Sequence, residues 1–238
     1  MIFLPTVEKY PDIFVPILGG SVHGVPDHLF FQNMQHDDCG DNISYLNPQI
    51  SEHSCIYWMY KHYQELGNPD MIGLCHYRRF FDLDYNNLDP KMLYLKRGKN
   101  NHSEWPRSVL HSFIGIPCTQ LIIDSIIYDQ PDFKDDIDMV LDDYDFFDKD
   151  MFIVPRHVFF GYMRYMMRCY RVLFSSQLKI IILRWAVDHP CYDLGTIIYR
   201  RGMSYVLEFL TAVFFTHLQR FGYPIHLSEL TEDSFHDY

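Results

Sequence analysis

The apolar and polar positions between Asn47 and Tyr77 change period once, and that change predicts two elements. Cys55, Ile56, Met59, Tyr63 and Leu66 recur at helical spacing with Trp58 at the edge of the stripe, while Glu52, Lys61 and Glu65 fall on the wet side. The pattern predicts a helix that starts with Asn47 as N-cap and Pro48 in its first turn and runs to about Leu66. Gly67-Asn68-Pro69 stops it. Met71–Tyr77 follows as a nearly all-apolar run, the pattern of a strand covered on both faces. Helix, short turn and buried strand are half of a βαβ unit and predict an α/β sheet.

The same reading places short β-type runs at Met1–Thr6 and Ile13–Leu18, interrupted by Pro5 and Pro16 and closed by Gly19-Gly20. Asp27–Asp41 and Tyr94–Trp105 read as polar loops, and Thr119–Tyr128 as either a strand or a short helix. Tyr205–Phe221 is apolar nearly all round, the mark of a core helix, and the tail after Tyr223 is polar, acidic and expected to be poorly ordered. Charge divides the second half sharply. Asp132–Asp150 carries nine Asp against two Lys, whereas Met151–Val187 carries Arg156, Arg164, Arg168, Arg171, Lys179 and Arg184 and no acid. Arg164, Arg168 and Arg171 share one helical face among Tyr, Met and Phe. Such a face suits an anionic membrane surface, or pairs with the acidic run just before it.

A chain of 238 residues suffices for one substantial core, and a single domain over 1–238 is expected, with a first half to residue 85 and a second, largely helical half from 86. The net charge of −11 excludes the basic footprint of a nucleic-acid binder. Six scattered cysteines with no C-x-x-C pair fit reduced thiols in the cytoplasm and argue against structural zinc. The first residues lack the basic start of a signal peptide, and no window is apolar enough to span a membrane. An aromatic share of 17% supplies either half-buried core or the walls of a carbohydrate or nucleotide pocket.

The candidate chemistry gathers at the end of the Met71–Tyr77 strand. His76, Tyr77, Arg78 and Arg79 sit where open α/β sheets bind ligands, and two successive guanidinium forks match phosphate oxygens. Asp82 and Asp84 follow, a carboxylate–x–carboxylate pair of the kind that holds Mg²⁺ or Mn²⁺ across a diphosphate. Asp38, Asp41 and Asn42 lie in a Gly-containing loop, where such side chains either hydrogen-bond a ribose or cap turns. No P-loop, G-x-G-x-x-G, G-x-S-x-G or H-E-x-x-H pattern is present.

Asp38, the run Gly40-Asp41-Asn42-Ile43-Ser44, Asn47, Glu52, Tyr57-Trp58, Lys61 and then Ile72-Gly73-Leu74…His76-Tyr77-Arg78-Arg79…Phe81 form a spaced pattern. It resembles that of a bacterial family of capsular and exopolysaccharide glycosyltransferases, long catalogued as a domain of unknown function. Thr6 and Val15-Pro16…Gly19 extend the likeness to the N-terminus, although Val7 and Glu8 replace the family's His-Lys.

The resemblance implies a GT-A-like nucleotide-sugar-binding sheet flanked by helices, with a helical C-terminal part. It implies a donor site formed by Thr6, Asp38, Asp41, Asn42, His76, Tyr77, Arg78 and Arg79. The cations would offset the diphosphate charge, or Mn²⁺ or Mg²⁺ would sit at Asp82 and Asp84. One alignment of the second half makes Asp150 the base that activates the acceptor. The implied activity is transfer of a sugar from a nucleotide-diphosphate donor, a UDP-sugar, to a glycan or lipid-linked acceptor at the inner face of the membrane. The alternative is a non-catalytic scaffold of a glycan-assembly complex, docked through Arg164, Arg168 and Arg171.

Overall fold

The computed structural model describes residues 9–10, 12–27, 29–76, 79–97, 106–142, 147–180 and 202–232. Its frame is a mixed four-stranded sheet of order β3-β6-β5-β7, formed by β3 (Met71–Leu74), β5 (Leu93–Arg97), β6 (Phe147–Pro155) and β7 (Ile225–Leu227). β6 runs antiparallel to both β3 and β5, and β7 runs parallel to β5. Two small sheets flank it: β1 (Ile17–Leu18) with β2 (Gln35–His36), parallel, and β4 (Arg79–Phe81) with β8 (Leu230–Glu232), antiparallel. The helices are α1 (Leu29–Gln32), α2 (Asn47–Ile50), α3 (His53–Lys61), α4 (Pro106–Ile114), α5 (Ile116–Asp129), α6 (Lys134–Asp142), α7 (Arg156–Leu173) and α8 (Gly202–Arg220).

The strand covered on both faces is β6. Phe152 and Val154 point into the main core, where Phe152 meets Tyr162 of α7 (centroids 5.3 Å apart) and Phe215 of α8 (5.5 Å). Met151 and Ile153 point the other way, into a second cluster with Tyr10, Phe81, Tyr85 and Tyr94. Period-two alternation with both sets apolar yields the continuous hydrophobic run Met151–Val154. β3 is shorter than expected and, among the described residues, lies at the sheet edge with only Ile72 fully buried. Gly73 sets its approach to β6, because a Cβ there would lie 2.3 Å from the Phe152 carbonyl oxygen.

The helix expected over Asn47–Leu66 is broken. Ser51 takes φ +49°, and Asn47, inside α2 rather than capping it, donates from Nδ2 to the Ser51 carbonyl and to Ser54 Oγ, both at 2.9 Å. An Asn amide that satisfies backbone groups competes with helix continuation. Trp58 is not at the edge of the stripe but 1% exposed. Leu93–Arg97 is a sheet strand whose Leu93 and Leu95 are fully buried, where a polar loop was expected. Thr119–Tyr128 belongs to α5, and the described residues after Tyr223 contribute β7 and β8 where a poorly ordered tail was expected; residues 233–238 of that tail lie outside the described residues. α8 is the core helix its composition predicts.

Candidate active site

Beyond Leu74 the chain leaves the sheet. His76 bridges back to Arg79, whose N–H donates to the His76 carbonyl, and Arg79 opens β4 in the neighbouring layer. The turn thus brings His76 and Arg79 together at the strand end. Tyr77, Arg78 and Thr6 lie outside the described residues. Facing His76 is Glu52, with Oε1 3.7 Å from the His76 Nε2. That Nε2 is buried and makes no hydrogen bond. Glu52 immediately precedes α3 and is half-buried, whereas the apolar period put it on the wet side; the break at Ser51 resets the helix phase and turns it toward the strand end.

The loop 37–44 packs on α3, and its residues hold one another. Asp37, fully buried, accepts hydrogen bonds from the N–H groups of Gly20 and Ser21 and the hydroxyls of Ser21 and Ser44. Burial opposes its charge, yet the bonds from Ser44, Ser54, Gly20 and Ser21 prevail and hold its carboxyl below the usual carboxylate range. Cys39 Sγ accepts the Trp58 indole N–H at 3.1 Å. Gly40, at φ +60°, lies against His62, itself stacked on Trp58.

Asp41 accepts the Tyr57 hydroxyl at 2.9 Å and pairs with Lys61 at 2.6 Å, and the Lys61 bond is the main reason its carboxyl is held low. Asn42 donates to the carbonyls of Asp38 and Gly40 and accepts the Ser44 N–H. The Asp38 side chain is exposed. Of the two residues expected to contact a donor, Asp41 fastens the loop to α3 and Asn42 braces the loop itself. The Gly-Asp-Asn-Ile-Ser and Tyr-Trp-x-x-Lys segments are two halves of one packing unit.

Asp150 sits at a bulge. Leu95 pairs with Phe152 and Arg97 with Phe147, so four residues of β6 oppose one of β5. Within that bulge Asp150 takes φ +53°, which re-aims its side chain inward. Its Oδ2 lies 3.1 Å from His53 Nε2, and His53 Nδ1 lies 3.1 Å from the Tyr170 hydroxyl. Burial, and after it the Asp150 charge, pushes the hydroxyls of Tyr162 and Tyr170 well above the ordinary tyrosine range. With its side chain 1% exposed, Asp150 does not meet an acceptor hydroxyl in this arrangement; it anchors the start of α3, one residue from Glu52.

Asp82 and Asp84 are exposed, and Asp84 caps a turn. Asp84 accepts the Asn87 amide at 2.6 Å and the Asn86 N–H at 3.2 Å, contacts that hold its carboxyl low, Asn87 first. Each Asp84 oxygen takes one of these bonds. Among the described residues no group of three or more His, Cys, Asp or Glu is placed to hold an ion. Burial pushes the Cys55 and Cys75 thiols up to about 12, which removes them as nucleophiles.

The basic face of α7 stays exposed, yet two of its arginines have a partner on α5. Arg168 Nε and Arg171 Nη2 both bind Asp129, at 3.0 and 2.7 Å, at the end of α5 just before the acidic run, and Arg164 is exposed. Two of the three arginines are thus paired, but not with the acidic run expected to take them: Asp135 and Asp136 of that run meet His217 and Arg220 of α8. No helix among the described residues is long and apolar enough to cross a membrane.

Residues 7–104 match the model of a family described as a domain of unknown function, DUF4422. The stretch includes the whole packing unit and the strand end. No curated protein matches the chain significantly. Among solved structures the chain is similar to WbbM, a bifunctional glycosyltransferase solved in its apo form. The TM-score is 0.65 at 19% identity, over 92% of this chain and 42% of that one. The fold is glycosyltransferase-like. The chain spans less than half the length of that protein, and at such low identity the likeness establishes the fold alone.

Proposed function

We propose that this protein is a glycosyltransferase that moves a sugar from a nucleotide-diphosphate donor, a UDP-sugar, to a glycan or lipid-linked acceptor in surface-polysaccharide synthesis. The glycosyltransferase-like fold supports this reading. The observation that carries it is the cluster at the strand end, where Glu52 and His76 face each other at 3.7 Å beside Arg79. Strand ends of open α/β sheets are where such ligands bind.

In this reading Arg78 and Arg79 offer planar donor forks to the diphosphate. His76, whose Nε2 faces Glu52 but makes no hydrogen bond, donates a further hydrogen bond to it. Glu52 takes the proton of the acceptor hydroxyl as its oxygen attacks the anomeric carbon. The carbon–oxygen bond to the diphosphate breaks, and the nucleoside diphosphate leaves with the electron pair while the cations hold its charge. In this reading charge stabilisation is assigned to the basic strand end.

A thermal-shift screen across nucleotide sugars, with and without Mn²⁺, tests the proposal. A UDP-sugar is expected to raise the melting temperature, Arg79→Ala or His76→Ala to abolish the rise, and Glu52→Gln to retain it while losing transfer. A protein indifferent to every nucleotide sugar and nucleoside diphosphate overturns it.

A further inference from the structure

Away from the strand end, the last turn of α5 and the C-terminal end of α7 enclose an open groove of about 460 Å³. That volume is within the roughly 300–1,000 Å³ typical of small-ligand sites. Tyr128 stands in its wall, 91% exposed, in a fold that buries most of its large rings. An aromatic face held in water on a rigid helix suits the C–H face of a pyranose, while polar neighbours take the hydroxyls.

Those neighbours are present. The Asp124 carboxylate is oriented by the Gln120 amide at 2.8 Å. Arg171 is fixed by Asp129 and retains further N–H donors, and the Gln177 amide is exposed. Charge narrows the ligand class. Around the groove two guanidinium groups, Arg168 and Arg171, are matched by two carboxylates, Asp124 and Asp129. A balanced surface on a chain of net charge −11 gives an anionic headgroup or nucleotide no net attraction. The groove also lies at the end of α7 that reaches the candidate active site: Arg171 follows Tyr170, whose hydroxyl meets His53 beside Glu52.

We propose that this groove binds a neutral, hydroxyl-rich oligosaccharide, holding the body of the acceptor chain whose end is extended at Glu52. The acceptor role rests on the glycosyltransferase reading; the binding itself does not.

The test is an array of neutral and acidic oligosaccharides probed with the full chain, followed by titration calorimetry of the best neutral ligand. Tyr128→Ala is expected to weaken binding about tenfold, the scale of one lost stacking contact, with Gln177→Ala and Arg171→Ala weakening it less. The melting shift given by a nucleotide sugar should be unchanged in Tyr128→Ala, so failure of the groove and failure of the donor site are read separately. The proposal is overturned if no neutral oligosaccharide binds, or if binding ignores both Tyr128→Ala and Arg171→Ala. It is equally overturned if Tyr128→Ala instead abolishes binding to phosphatidylglycerol vesicles, which would make the groove a membrane contact.

Discussion

His53 and Asp150 meet in the interior with Nε2 3.1 Å from Oδ2, 97 residues apart in the chain, and the second Asp150 oxygen is buried without a partner. Removing one member of such a pair leaves the other desolvated and uncompensated, at a cost of about 3–5 kcal/mol. Asp150→Ala and His53→Ala should each lower stability on that scale. The double variant should cost clearly less than the sum, because the residues share one interaction. Urea denaturation of the three variants measures this, and strict additivity would refute the coupling.

Gly40 closes against His62 at φ +60°, and an added Cβ would lie 2.2 Å from the imidazole Cε1. Gly40→Ala is expected to push His62 off Trp58 and cost more than about 1 kcal/mol, combining backbone strain with lost packing. Gly222→Ala, at φ +79° with nothing within 4 Å, supplies the strain alone. The two melting temperatures should separate, with Gly40→Ala the lower.

Asp37 links the loop to acid stability. Its folded pKa is depressed by the bonds from Ser44, Gly20 and Ser21 that overcome burial. Its contribution is therefore complete above the unfolded value, about 3.9, and is lost as pH falls through the lower folded value. Stability at about pH 3 should drop less, relative to pH 7, in Asp37→Asn than in the unaltered protein, although the variant is weaker at neutral pH. Denaturation midpoints at the two pH values decide this.

The first third of the fold was the most legible part of the sequence because its signals are local. Gly67-Asn68-Pro69 ends an apolar helical stripe, and a buried-looking run follows at once. What the periodicity missed depended on contacts between distant residues. Ser51 breaks the helix through the Asn47 amide, which carries Glu52 from the wet face to His76. Leu93–Arg97 looked polar through Lys96 and Arg97, yet pairing on both edges with β6 and β7 makes it a core strand. At the candidate site, His76 and Arg79 were legible from their place at a strand end. Asp41 and Asn42 were read as ligand contacts, but the same spacing equally specifies their bonds to Tyr57, Lys61 and the loop backbone. His53 carried no signal of its own, since its partners Asp150 and Tyr170 lie 97 and 117 positions away.

Asp129 takes both Arg168 and Arg171, each of which remains about half or more exposed. Solvent-screened pairs of this kind contribute about 0–1 kcal/mol. Asp129→Ala should thus leave stability within about 1 kcal/mol of the original while freeing two cations. Co-sedimentation with anionic vesicles should then rise above that of the unaltered protein. Strong sedimentation with Asp129 intact would mean that the arginines serve the membrane despite their pairing.

Glu52 makes the sharpest functional prediction. It is half-buried, beside His76 and one residue from the His53–Asp150 anchor, so its position is held from two sides. If it accepts the acceptor's proton, Glu52→Gln keeps the shape and removes the base. The expected loss in kcat is about a hundred- to ten-thousand-fold, the usual contribution of a positioned base, with donor KM nearly unchanged. His76→Ala should do the reverse, raising donor KM more than it lowers kcat, because its Nε2 is assigned to the diphosphate. Steady-state transfer assays on both variants separate the roles. Turnover in Glu52→Gln equal to that of the unaltered protein would remove Glu52 from the chemistry and leave it only as a partner for His76.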